Sequence, residues 1–156
     1  MDSLQRRYFP HGICFGCGPA NPNGLRLESR PEADGLVAEW RPAAHHQAFE
    51  GVLNGGIIGT LLDCHSNCTA LWHLQVKREL PYPPLTVTAE YTIKLHRPTP
   101  VDGIVTLRSR VVESEGDRVV VEATLEARGK VCASSRGTFI AVPPDHPAHK
   151  HWTPPR

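Results

Sequence analysis

No apolar run in this chain approaches the roughly 20 residues that a membrane-crossing helix requires, so no spanning helix is expected. Charge of one sign is also missing. Seventeen basic residues face sixteen acidic ones, for a net charge of +1, which gives no basic stripe and argues against nucleic acid as a partner. The five cysteines, at 14, 17, 64, 68 and 132, are an odd number without the regular spacing of a disulfide scaffold. Residues 1–9 lack the apolar core of a secretory signal. A cytoplasmic protein with reduced thiols is the expectation. The chain has 156 residues, 40% of them hydrophobic and 21% charged, the proportions of one globular domain with a real core. Fifteen prolines and thirteen glycines favour a turn-rich, strand-rich fold over a bundle.

Residues 1–24 read as an irregular lead-in rich in Gly, Pro, Asn and Cys. Residues 25–29 and 35–41 alternate like short strands, with a turn between them over 31–34. Residues 42–53 read as a loop. One convincing helix is predicted over 55–74, capped by Asn54. Its apolar residues, among them Ile57, Ile58, Leu61, Leu62, Leu71 and Leu74, spread round most of the circumference, as in a central buried helix. Beyond Pro81, Pro83 and Pro84 everything reads as strand. Residues 85–96 place Val87, Ala89, Tyr91, Ile93 and Leu95 on one face and Thr86, Thr88, Glu90, Thr92 and Lys94 on the other. Strands over 101–113, 118–128 and 131–142 complete an antiparallel meander of four, with tight turns at 115–117 and 129–130. The Pro- and His-rich tail, 143–156, is expected to be poorly ordered, leaving 1–142 as a single domain. This order fits an α+β fold, a sheet curled around one helix. The edges of such a sheet stay open, and dimerisation that continues the sheet would close them.

The most informative stretch is 51–65. Asn54-Gly55-Gly56 runs straight into the apolar helix, and Asp63 lies about two turns in. A helix N-terminus offers unpaired N–H groups and a positive dipole end, able to hold a developing oxyanion. Glycines there let a substrate approach the backbone. A carboxylate inside an apolar helix calls for a reason, because burying an unpaired charge is costly, and partial burial raises its pKa and makes it a better base for water. Donors at the start and an acid farther along read as a hydrolytic site. The neighbouring His65 points to the other side of the helix, so an Asp–His dyad is geometrically poor. Asn67, one turn on, is placed to bond the Asp63 carboxylate. Cys14-x-x-Cys17 suggests zinc or redox chemistry, but a structural zinc needs four ligands. With no second pair of matching spacing and only His11 nearby, a tight loop folding over the substrate end is the reading preferred. Tail histidines His146, His149 and His151 are read as part of the disordered end.

Three stretches, in this order and spacing, resemble the hotdog-fold thioesterases, in the branch related to the phenylacetate-pathway (PaaI-like) acyl-CoA thioesterases. Residues 51–63 are similar to that family's His-Gly-Gly motif followed seven residues later by an acid. Residues 87–98 look like its strand ending in Leu-x-Arg-Pro, and 129–139 like its final strand. The segment 14–25 is similar to a lead-in seen in one subgroup. The resemblance covers roughly residues 14–142.

It implies a hotdog homodimer or homotetramer with active sites at the subunit interface, acting on an acyl-CoA substrate without metal or organic cofactor. Asp63 would be general base or nucleophile, the Gly56 N–H would polarise the carbonyl, and Thr88 would orient the water. Glycine would come from one subunit, acid and hydroxyl from the other. Asn54, Gly55, His46, Gln47, Asn67 and Arg97 are the candidate substrate contacts, with Lys94 and Arg108 as further basic residues for the coenzyme A phosphates. Two positions depart from the pattern. Asn54 stands where the family has histidine, and Ala48 where some members have a polar residue, leaving His46 or Gln47 to take that role. Two alternatives stay open: a hotdog enoyl-CoA hydratase, which needs an Asp and a His on one carbon, and a non-catalytic acyl-thioester binder.

Overall fold

The computed structural model describes residues 2–151. The lead-in opens with a helix that sequence reading missed, α1 (Leu4–Tyr8), too short to show a periodic face. Ser3 caps it, accepting from Arg6 N. Its buried Leu4 and Tyr8 pack with Leu36, Cys68 and Leu71, so α1 is a plug at one end of the central helix.

Residues 25–29 do alternate inward and outward, with Leu25, Leu27 and Ser29 buried, but they are not a strand. Their backbone pairs with the lead-in instead: Leu25 N donates to Phe15 O and Leu27 N to Gly16 O. Arg26 takes a positive φ of 54°, which no strand accommodates. The first hairpin starts later, with β1 (Arg30–Glu32) and β2 (Gly35–Trp40). The predicted 42–53 loop holds a 3-10 turn, Ala44–His46, and a small ribbon, β3 (Gln47–Phe49) with β4 (Val52–Leu53).

The central helix, α2, runs over Gly55–Lys77, three residues past its predicted end. Asn54 caps it as expected, its side chain accepting from Ile57 N at 3.0 Å. Replacing Asn54 with alanine is expected to lower stability by about 1 kcal/mol, read as a lower urea midpoint at an unchanged slope. Leu61, Leu62, Ala70 and Leu74 are fully buried. No helix among the described residues is long and apolar enough to cross a membrane.

Four long strands follow: β5 (Thr86–Leu95), β6 (Val105–Glu115), β7 (Arg118–Ala127) and β8 (Lys130–Ala141). They are not a meander of four. The sheet order is β1-β2-β6-β7-β8-β5, so of these four strands β6, β7 and β8 are joined by hairpins and β5 is not. The chain leaving β5 crosses over, and β6 pairs with β2, while β5 forms the far edge beside β8. The β7–β8 turn has positive φ at both Arg128 and Gly129, the conformation that suits the twist of two flanking strands.

Strand β5 also departs from simple alternation. Its register against β8 shifts between Thr88 and Glu90, leaving Ala89 as the extra residue of a bulge. Before the bulge the even residues Thr86 and Thr88 face α2. After it the odd residues do, and Ile93 joins the core formed with Ile58, Leu61 and Leu62. The bulge thus lets one strand present hydroxyls to the middle of the helix and aliphatic groups to its start.

The tail is described as far as His151. It closes with a short 3-10 segment, Pro147–His151, and the His149 ring bonds Val142 O at 3.3 Å. Residues 152–156, the rest of the expected disordered tail, lie outside the described part.

Candidate active site

Asp63 and Asn67 sit one turn apart on α2, and Thr88 and Thr86 two residues apart on β5. Four residues of helix rise about 6 Å and two of strand about 6.8 Å, so the two pairs stand in register. The Thr88 hydroxyl donates to Asp63 Oδ1 at 2.8 Å, and the Thr86 hydroxyl donates to Asn67 Oδ1 at 2.6 Å. Asn67 Nδ2 completes its side by donating to Thr86 O. Asn67 is thus committed to Thr86 rather than to the Asp63 carboxylate, because the strand supplies a partner of matching pitch.

The Asp63 carboxylate is half-buried. Burial pushes its pKa up and the Thr88 hydrogen bond opposes this, while the nearby Cys14 adds to the rise. Among the described residues, no cation is among the groups acting on it.

Gly56 is exposed at the helix start. The first N–H groups of a helix have no acceptor within it, and since Asn54 takes the Ile57 N–H, the N–H groups of Gly55 and Gly56 are left for a ligand. A Cβ at Gly56 would stand 3.0 Å from Asn54 Oδ1. Seven residues of helix separate Gly56 from Asp63, about 10 Å along the axis. No single carbonyl can touch both groups of the same helix.

The loop before α2 holds the other candidates. His46 Nδ1 accepts from Ala43 N at 2.9 Å, its ring stacks against Trp40, and its carbonyl accepts from Asn54 N. Burial lowers its pKa, and His45 adds to that. Gln47 uses both ends of its amide locally, donating to Ala44 O and accepting from Gly51 N. Both side chains shape the entry to α2. Arg97 is exposed just past β5, its N–H on Cys132 O. Lys94 and Arg108 line the opposite face of the sheet, where Arg108 pairs with Glu32 and Glu126, away from Asp63.

His65 is fully buried. Its Nδ1 meets Ser29 Oγ at 2.8 Å and its Nε2 meets Leu36 O at 3.2 Å. Burial pushes its pKa down to about 4, and both ring nitrogens are engaged away from Asp63.

Sequence reading missed one member of this neighbourhood. Cys64 lies partly buried on α2 beside Cys14 and Cys17 of the lead-in loop. Hydrogen bonds from the Cys17 and Cys64 thiols hold Cys14 far below the usual thiol range, at about 2, helped by the N–H groups of Cys17 and Gly16. Its bond to Cys14 pushes Cys17 up to about 12. Fifty residues separate Cys14 from Cys64, so no local spacing could have signalled the convergence.

A six-stranded antiparallel sheet against one long helix, with an acid in mid-helix, defines an α+β hotdog fold. The chain belongs to the thioesterase superfamily, whose sequence model matches residues 50–133. Among curated proteins it is similar to the acyl-coenzyme A thioesterase THEM4 of Rattus norvegicus, 24% identical over 114 residues. That match covers 72% of this chain and 45% of the relative, so the chain spans less than half of that protein's length. A thioesterase superfamily protein of Shewanella loihica is 30% identical, with a TM-score of 0.64 over 75% of this chain and 91% of the other. The PaaI protein of the E. coli phenylacetic acid degradation operon superposes with a TM-score of 0.65 at 16% identity, over 76% and 81% of the two chains. A hypothetical thioesterase of Streptococcus pneumoniae, solved with coenzyme A, gives 0.63 at 18% identity, over 74% and 85%. The last two likenesses speak to the fold.

Proposed function

We propose that the protein hydrolyses an acyl-coenzyme A thioester to the free acid and coenzyme A. The observation that carries this reading is the Asp63 carboxylate, half-buried, bound by the Thr88 hydroxyl and, among the described residues, by no cation. Membership of the thioesterase superfamily and the likeness to the acyl-coenzyme A thioesterase THEM4 support an acyl-coenzyme A thioester as the substrate class.

Asp63 takes a proton from a water held beside Thr88, and the water oxygen attacks the thioester carbon. The carbonyl oxygen, now negative, receives the Gly56 N–H at the dipole end of α2. As the C–S bond breaks, the thiolate leaves and the proton on Asp63 returns to it. Thiolate is a good leaving group, so the chemistry asks little of a general acid.

As the family resemblance implies, the site combines Gly56 of one copy with Asp63 and Thr88 of another, and the roughly 10 Å of helix between Gly56 and Asp63 fits that division. Strand β5 supports such an assembly. It is an edge strand, with Tyr91 and Leu95 exposed, and apolar edges of this kind are normally covered. Arg97, exposed past that strand, is the candidate contact for the coenzyme A phosphates. The five free cysteines support a reducing, cytoplasmic setting.

A hydratase needs a histidine on the same carbon as the acid, and His65 is engaged elsewhere. A binder would return thioesters intact. Saturated and enoyl thioesters of varied acyl groups, incubated with the protein and a thiol-trapping dye, separate the readings. Release of free thiol is expected, and loss of alkene absorbance without thiol, or no change at all, sinks the proposal. Thr88→Val keeps shape and strand preference but loses the hydroxyl. It is expected to lower kcat/KM about tenfold, the worth of a hydrogen bond to a charged group, in the same thiol-release assay.

A further inference from the structure

We propose that Cys14, Cys17 and Cys64 form a zinc site that pins the lead-in loop to α2. The three sulfurs all lie within 4.8 Å of one another. Cys14 Sγ and Cys64 Sγ are 3.7 Å apart, and sulfurs about 2.3 Å from a tetrahedral zinc stand about 3.8 Å apart. The Cys14–Cys64 pair therefore already has the edge length of a zinc–thiolate tetrahedron, and Cys17 lies within reach of both.

The loop is built around that geometry. Gly18 N donates to Cys14 O at 2.8 Å, closing a tight turn that carries both loop cysteines. Two glycines make the turn possible. A Cβ on Gly16 would overlap Cys64 Sγ and stand 2.8 Å from Thr60 Cγ2, and one on Gly18 would stand 2.6 Å from Gly12 O. Asn21 ties the loop back by donating to Ile13 O, and Phe15 O and Gly16 O accept from Leu25 and Leu27. The position of Cys64 on α2 does not depend on a metal, so the third ligand is rigid.

Cys17 and Cys64 pack against the main core, but Cys14 is exposed, so apolar burial does not account for its sulfur lying 3.7 Å from that of Cys64. Cys68, one turn further along α2, packs in the apolar cluster with Leu36 and Leu71 and stays outside the trio. With three protein sulfurs the fourth zinc position is left open to a water or another ligand, as at zinc sites that have three protein ligands rather than the closed four of a purely structural site. A disulfide is the rival chemistry, but it would join two sulfurs and leave the third without a role.

The full chain, purified without chelator, is expected to carry about one zinc per chain by elemental analysis. Cobalt exchanged into it should give the sulfur-to-cobalt charge-transfer and intense visible bands of a tetrahedral thiolate site. Cys14→Ser, at an exposed position, and Cys64→Ser should each lose at least about 90% of the metal. Cys132→Ser, remote from the trio, should keep it. Circular dichroism establishes that each variant is folded, and the wild-type measurement requires no variant. Metal in fewer than about one chain in ten together with no cobalt bands, or a Cys14–Cys64 disulfide in the protein as isolated, overturns the proposal. None of these readouts depends on turnover, so failure here leaves the thioesterase reading standing, and failure of that reading leaves this one.

Discussion

Replacing Asp63 with asparagine is expected to lower thioester turnover about 10³-fold, in the middle of the 10²–10⁴ range that a positioned general base contributes. Asparagine keeps the shape and still offers an oxygen to the Thr88 hydroxyl, so the contact between α2 and β5 survives. What disappears is the capacity to accept a proton. Folding should not suffer, because the substitution removes a half-buried carboxylate whose burial is itself unfavourable. Thermal melts should place the variant at or slightly above the wild-type midpoint, while thiol release falls in kcat rather than KM. Activity within threefold of wild type would remove Asp63 from the chemistry. A single turnover in ¹⁸O-labelled water settles how the carboxylate acts. Label only in the released acid supports attack by water, whereas label entering Asp63 supports attack by the carboxylate itself.

The candidate catalytic residues on α2 were legible in the sequence because each is signalled locally. Asn54 announces the start of α2, Gly55 and Gly56 follow it, and an acid amid Leu61, Leu62 and Cys64 stands out by composition alone. Thr88 came from the strand's offset to Pro98, and the structure brings it to Asp63. What stayed hidden depends on contacts distant in sequence. Residues 25–29 alternate like a strand, yet Arg26 turns the chain and the lead-in provides their partners. Ala89 gives no sign that it is an extra residue, since its place in a bulge is set by β8. The order of the sheet was misread because consecutive strands usually neighbour one another, and the β5-to-β6 connection crosses over instead. Asn67 chose Thr86 over Asp63 through a match of helix and strand pitch that neither segment displays alone. Cys64 belongs to the same class, since its sulfur partners lie fifty residues earlier in an unstructured-looking segment.

Gly56→Pro is expected to lower kcat about 10²- to 10³-fold relative to Gly56→Ala, the cost of losing one oxyanion donor. Proline at this position deletes the N–H without breaking any helical hydrogen bond, because that N–H has no acceptor in the first turn. Alanine adds the same Cβ against Asn54 Oδ1, 3.0 Å away, but keeps the donor, so the ratio of the two variants isolates the N–H. Equal activity in both would assign the oxyanion to another group. The pair Gly56→Pro and Asp63→Asn also tests whether a site is shared between copies. Each alone is nearly inactive. Unfolded together and refolded at equal amounts, half the dimers combine one chain of each kind, and each mixed dimer then has one site with an intact Gly56 facing an intact Asp63. Recovery of about one quarter of wild-type turnover is expected from this two-fold arrangement. If both groups served one site from the same chain, no mixture would restore anything. The 10 Å of helix between them is the physical reason to expect recovery.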